Sequence, residues 1–475
     1  MRDELLSVGI DIGTSTTQVI FSRISIEDMS SGFTMPRIEI TGKSVVHRGR
    51  IHFTPLLSPT EIDMEKVRDI VGDEYRSSGI RRGDVKTGAV VITGETARKR
   101  NANEVLRALS EFAGDFVVAT AGPDLESIIA ARGAGADAYS RAHSTTAANY
   151  DIGGGTSNFA MFKNGELACT GCLDIGGRLV RVEGGRISYI APKITELCAN
   201  ERIRFFVGDR AEMNILTRIA EAMTALLEMS IGLRPKSSFY PRILTEEGRD
   251  IHLPYPLENM CFSGGVADHI YGDLAGDPFL YGDIGVILGR AIRESEALPR
   301  VKRFSPSETI RATVVGAGSH ITEISGSTID YDRELLPVKN LPILKLTPED
   351  EADPKSMREA IACKMDWFRA EGRVQPIAIS ITLKRSPSFL EIQDAADAIL
   401  SGASELLAAG HPLVVVSEND LAKVLGNTLR ARMTRRSPLV SIDSIRVSNG
   451  DYIDIGRPAA SGSVLPVVVK TLLFV

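Results

Sequence analysis

Val8-Gly9-Ile10-Asp11-Ile12-Gly13-Thr14-Ser15-Thr16-Thr17-Gln18 and, about 140 residues later, Asn149-Tyr150-Asp151-Ile152-Gly153-Gly154-Gly155-Thr156-Ser157-Asn158 present the same order of residue types. Each runs from an apolar strand through Asp, Ile and glycine to a hydroxyl-bearing turn, and then into a second apolar strand, the pattern of a β-hairpin with a polar tip. From Val85 the first copy continues as strand Ala89 to Thr93, a helix around Asn103 to Phe112 and strand Phe116 to Thr120, an alternation that predicts an α/β unit with parallel strands. Two copies of one supersecondary pattern predict a duplicated α/β domain.

The residue types at the two tips suit one chemistry. A nucleoside triphosphate concentrates negative charge, so its site needs closely approaching backbone N–H donors, hydroxyls, and carboxylates that hold Mg²⁺. Gly13 and Gly153, Gly154 and Gly155 let the chain turn without a Cβ in the way. Thr14, Ser15, Thr16 and Thr156 offer donors, and Asp11 and Asp151 stand just before the turns, where they can meet a metal. One Asp-Ile-Gly-Thr string says little, because tight turns use the same residues. The pair carries the reading.

Between the tips, Leu125-Glu126-Ser127-Ile128-Ile129-Ala130-Ala131 opens a helix whose small residues invite close packing by another helix. Glu126 has two readings: it orients a water for attack on a phosphate, or it complements the helix dipole from the first turn. Further on, Gly264 and Gly265 in Phe262-Ser-Gly-Gly-Val-Ala267 suit backbone approach to adenine and ribose, and a helix Ile284 to Ile292 with Gly285 and Gly289 supplies a second close crossing. Ala312 to Val315 reads as a strand before Gly316-Ala-Gly318, which competes with Gly264 and Gly265 for the adenosine role.

The chain has 475 residues, enough for two to three domains. With 43% apolar and 24% charged residues its composition is globular. A net charge of −6 provides no overall basic field for nucleic acid or an anionic membrane. The basic run Arg430, Arg432, Arg435, Arg436 reads as a solvated helix end. No apolar stretch is long enough to span a bilayer, and no signal peptide is evident, so a cytoplasmic location is expected. Five cysteines, at 169, 172, 198, 261 and 363, do not form a disulfide framework, and Cys169-Thr-Gly-Cys172 reads as buried side chains rather than half a metal site.

We divide the chain into a first lobe over 1–146, with an insertion at about 27–60, a second lobe over 147–298, and a mixed α/β C-terminal region over 299–475. Helix Met213 to Met229, apolar at Ile215, Ile219, Met223, Leu226 and Leu227, is expected to pack on the second lobe.

The ordered set of phosphate loop, Glu-containing helix, second phosphate loop, Gly-Gly element and second Gly helix resembles the five signature segments of the actin-like, heat-shock-70 and sugar kinase ATPases, which have duplicated ribonuclease H-like lobes. Within that superfamily the chain is similar to the ethanolamine ammonia-lyase reactivating factors. Carrying this are Ser7 to Gln18, Val91-Ile-Thr-Gly-Glu-Thr-Ala97, Asp151 to Ser157, Cys169 to Gly177, Val315 to Ser319, Glu323-Ile-Ser-Gly-Ser-Thr-Ile329, Asp451-Tyr-Ile-Asp-Ile-Gly456 and Val467 to Phe474.

The resemblance implies a slow ATPase that works as a molecular chaperone. Its partner would be ethanolamine ammonia-lyase, to which the adenosylcobalamin belongs, and ATP and Mg²⁺ would drive exchange of damaged cobalamin for intact cofactor. It further implies that Asp11 and Asp151 position Mg²⁺ and water, that the two loops hold phosphates, that Gly264 and Gly265 lie against adenosine, and that the lumen of a bacterial microcompartment is a further location. Ser127 stands where a proline often follows the acid of the helix segment. A small-molecule kinase of the same superfold and an ATP-dependent filament or scaffold protein remain alternatives, and the sequence leaves homo-oligomerisation open.

Overall fold

The hairpin Arg2–Ile12 and Thr16–Asp28, buried almost throughout over 7–12 and 17–26, builds the first sheet with its side chains on both faces. Val8, Ile10 and Ile12 face helices Met64–Ser78 and Ala102–Ala113, which close one side of the sheet. The first helix begins where the Asp63 side chain accepts the Lys66 N–H, and ends at Gly79 in the left-handed conformation. The structure, a computed structural model, describes residues 2–471 except 15, 29–37, 59, 94–95, 97–98, 114–117, 121–122, 246–249, 273–275, 321, 327, 371–372, 434–436 and 448–450.

Across the first sheet the strands run Ile38–Phe53, Thr16–Asp28, Arg2–Ile12, Val85–Ile92, Val118–Thr120, the first three antiparallel and the rest parallel. The second sheet repeats this order with Glu166–Leu173, Ser157–Lys163, Thr146–Ile152, Asn259–Ser263 and Lys302–Arg303. Its core includes Tyr150, Ile152, Phe159 and Phe262, and helix Met213–Ser230 packs there through Leu216, Ile219, Met223 and Leu227, as its periodicity predicts.

Within the expected insertion at about 27–60, Ile38–Phe53 is the outer strand of the first sheet, paired along Thr16–Asp28. The basic residues within it alternate with half-buried ones, as on an edge strand with a wet face. Residues 312–315 are not a strand but the start of helix Ala312–His320. A short apolar run does not distinguish a buried strand from a buried helix, and here neighbours on several sides bury it. This helix returns to the first lobe, where the Ser7 hydroxyl bonds the Gly318 carbonyl and Ile20 packs with Val314 and Val315.

The chain ends in a separate eight-stranded sheet. Strands Val338–Lys345, Ala378–Ile381, Leu413–Ser417 and Leu439–Ile442 lie parallel in sequence order, and helices Pro354–Met365, Phe389–Gly402 and Ala422–Arg432 cover one face through Ile361, Ile399 and Leu425. Antiparallel strands Asp451–Ile455 and Pro466–Thr471 continue the sheet, consistent with the apolar tail read from the sequence. At the basic run, Arg430 pairs with Asp330 and Asp332, and Arg432 with Asp397; Arg435 and Arg436 lie outside the described residues.

Candidate functional site

The two hairpin tips are superposable in their bonding. Gly13 N–H donates to the Thr16 carbonyl at 2.8 Å, and Gly153 N–H donates to the Thr156 carbonyl at 3.0 Å, so each turn closes on itself in the same way. Opposite each aspartate in the ladder stands an amide, Gln18 across from Asp11 and Asn158 across from Asp151. The neighbouring parallel strand then supplies a hydroxyl in both lobes. Thr93 donates to Asp11 at 3.0 Å, and Ser263 donates to Asp151 at 2.6 Å.

The tips face one cleft of about 320 Å³ between the lobes, lined by Asp11, Gly13, Thr14 and Thr16 on one wall and Asp151 and residues 153–156 on the other. Glu126, Gly264 and Gly265 line it too, whereas Gly316 and Gly318 do not. Ser15 lies outside the described residues. Gly316 lies at a helix crossing and Gly318 against Gly9 of the first sheet, whereas Gly264 and Gly265 border the cleft.

Two glycine-dependent close crossings are made by different helices. Helix Pro123–Gly133 is crossed by Ala312–His320, where a methyl group on Gly316 would overlap the Ile129 carbonyl oxygen and one on Gly133 would overlap that of Ala312. Helix Gly285–Glu294 packs elsewhere, with Gly285 against Gly177 and Gly289 against His269. Spacing alone gave no signal for which glycine helix meets which partner.

Electrostatically the floor of the cleft is poised for a cation. Burial pushes the Asp11 carboxyl up to about 7, opposed by the Thr93 hydroxyl and reinforced by the charge of Asp151. Burial also raises Asp151, opposed by Ser263 and Thr313, whose hydroxyl lies 3.3 Å from its second oxygen. Two buried carboxylates lining one cleft, with the Gln18 side-chain oxygen buried nearby and lacking a hydrogen-bond partner, form an oxygen donor set that fits a hydrated divalent ion. Gly264, at φ 86°, takes a conformation that favours glycine, and any Cβ there would overlap the Ile152 carbonyl. Its neighbour Gly265 has open space where a Cβ would stand.

Thr93, Ser263 and Thr313 are site residues that the sequence reading missed, and no local pattern marks them. Arg178 and Asp283 are also on the wall, and here a signal existed: Asp174-Ile-Gly176 and Asp283-Ile-Gly285 repeat the string of the two tips. The loop after Asp174 backs the second tip, with Gly177 N–H donating to Gly153 and Arg178 N–H to Gly154. In strand Glu166–Leu173 Cys172 is buried and Cys169 half-buried, and burial pushes the Cys169 thiol up to about 11.

Two sheets of one topology, each presenting an Asp-Ile-Gly turn to a shared cleft, define a protein of the actin-like ATPase fold. A family model for the ethanolamine utilisation protein EutA matches residues 3–475, and the chain belongs to that family. It is 36% identical over 478 residues to the ethanolamine ammonia-lyase reactivase EutA of Salmonella typhimurium (strain LT2), with 99% of both chains covered. It is 35% identical over 488 residues to the protein of the same description from Escherichia coli (strain K12), again with 99% of both covered. Among solved structures, the ethanolamine utilization protein EutJ from Carboxydothermus hydrogenoformans aligns at 15% identity over 66% of this chain and 88% of that one, with a TM-score of 0.34. A Ppx/GppA family member from Aquifex aeolicus aligns at 17% identity over 58% and 72%, with a TM-score of 0.33. At these scores the structural likeness carries no functional weight.

Proposed function

We propose that this protein is an ATP-dependent reactivating chaperone of ethanolamine ammonia-lyase, which loosens the inactivated enzyme so that damaged cobalamin leaves and intact adenosylcobalamin binds. The observation that carries the reading is the full-length match to two reactivases at 35–36% identity. The adenosylcobalamin is the lyase's cofactor, not this chain's.

In this reading Asp11 and Asp151 hold Mg²⁺, and Gly13, Thr14, Ser15, Thr16 and residues 153–156 cradle the phosphates. Gly264 and Gly265 lie against the adenosine, and Glu126 orients the attacking water. The metal supplies charge neutralisation at the phosphates when bound. The protein's part is to present buried carboxylates and closely spaced amides from two lobes, so that nucleotide favours a closed arrangement over an open one. A two-state shift of this kind needs about 5.5 kcal/mol of differential binding to run nearly to completion. The bodies we propose to move are the first sheet with helix Ala312–His320, and the second sheet with helix Pro123–Gly133, joined where those two helices cross. Among the described residues no helix is long and apolar enough to cross a membrane, and we place the protein in the cytoplasm, with a microcompartment lumen as the alternative that cell fractionation separates.

The test mixes the protein with cyanocobalamin-blocked lyase, Mg²⁺ and adenosylcobalamin. Recovery of deaminase activity with ATP and none without it is expected. No recovery, together with ATP turnover stimulated by a small hydroxylated metabolite, would replace the chaperone with a kinase.

A further inference from the structure

The wall of the cleft is rich in acid. Asp11, Glu126, Asp151, Asp268 and Asp283 line it, and among the described lining residues Arg178 is the only Arg or Lys. A polyphosphate entering such a wall meets repulsion that a metal ion relieves at one end only, and a fixed guanidinium offers directional donors besides its charge.

Arg178 is held in place from two sides. Its own N–H donates to the Gly154 carbonyl at 2.7 Å, which ties its backbone to the second tip. Its Nε lies 3.7 Å from Asp283 Oδ2, while Asp283 Oδ1 accepts the Gly285 N–H at 2.8 Å. The close fit depends on glycines, since a methyl on Gly176 would overlap the Gly154 carbonyl and one on Gly177 would come within 2.7 Å of the Gly285 Cα. The side chain is thus anchored beside the phosphate-facing turn, and remains 27% exposed.

We infer that Arg178 binds the phosphate chain of the nucleotide, as the fixed positive charge of this cleft, with Asp283 positioning its guanidinium. The inference rests on the nucleotide reading above. Arginine–phosphate contacts of this kind are strong enough that losing one weakens binding roughly tenfold to a hundredfold.

Titration calorimetry of the full chain with ATP, ADP and adenosine, in the presence of Mg²⁺, tests it. For Arg178→Gln we expect ATP and ADP to bind roughly tenfold to a hundredfold more weakly and adenosine to bind as in the natural protein. Arg178→Lys, which keeps the charge and loses the fork, should regain most of the phosphate-dependent affinity, and it decides the matter if the Gln variant melts at a lower temperature. Unchanged ATP affinity in the Gln variant, an equal loss for adenosine, or a Lys variant as weak as Gln would each overturn the assignment. A natural protein that binds neither ATP, ADP nor adenosine overturns the nucleotide reading itself, and this inference with it.

Discussion

Gly316 meets Ile129 with no room between them: where the helix Ala312–His320 crosses Pro123–Gly133, the Ile129 carbonyl occupies the place a Cβ on residue 316 would take. Overpacking a rigid contact of this sort costs about 1–3 kcal/mol. Gly316→Ala should therefore lower the melting temperature, and because the crossing joins the lobes, it should also weaken nucleotide binding. Thermal unfolding followed by calorimetry measures both, and an unchanged melting temperature would show that the helices can separate without cost.

The adjacent glycines 264 and 265 separate stability from binding. Gly264→Ala forces an alanine into the left-handed region and against the Ile152 carbonyl, so it should destabilise the fold by about 1–3 kcal/mol. Gly265→Ala meets nothing within 4 Å, so stability should change by no more than about 0.5 kcal/mol. Yet Gly265 lines the cleft, and the added methyl should reduce affinity for adenosine as well as ATP. Normal adenosine affinity in that variant would move the adenosine subsite elsewhere.

Asp11→Ala and Asp151→Ala should each abolish ATP-dependent recovery of blocked lyase. Both carboxylates are buried, and burial raises both without a metal, so neither replacement should lower the melting temperature of the metal-free protein by much. Recovery assays paired with melting curves check this, and full recovery with either variant removes the metal assignment.

A pH effect should come from the C-terminal sheet, away from the cleft. Burial pushes Asp443 up to about 6, helped by the nearby Asp420 and opposed by the Ala422 N–H and the Thr328 hydroxyl. A carboxyl whose folded pKa is raised contributes stability that is complete below its unfolded value near 3.8 and is lost as the pH rises through about 6. Asp443→Asn should remove that loss, making the protein about 3 kcal/mol more stable at pH 7.5 and little different near pH 4. Urea unfolding at the two pH values reads it, and a gain that persists undiminished at low pH would assign the effect to packing instead.

Much of the cleft was legible in the sequence because its demands are local. Gly264 stands where a close approach excludes a Cβ, and Asp11 and Asp151 share one place in a repeated strand and glycine turn. Such requirements act over a few residues and leave a string that can be compared with another. The strand expected at 312–315 failed for the opposite reason: three apolar residues and a threonine carry too little periodicity to choose between helix and strand, and packing against Ile20 and Ile129 made the choice.

The amino-acid order by itself determined that two hairpins with Asp-Ile-Gly tips would form, since period-two apolar strands and glycine turns are set by neighbours along the chain. Tertiary structure alone decided that Thr93, Ser263 and Thr313 would bond the two aspartates, that Ile38–Phe53 would pair with the first hairpin, and that Gly316 rather than Gly285 would meet the helix at Ile129. Those contacts join segments tens to hundreds of residues apart, and the free energy that selects them comes from burial and hydrogen bonds made only when the lobes assemble.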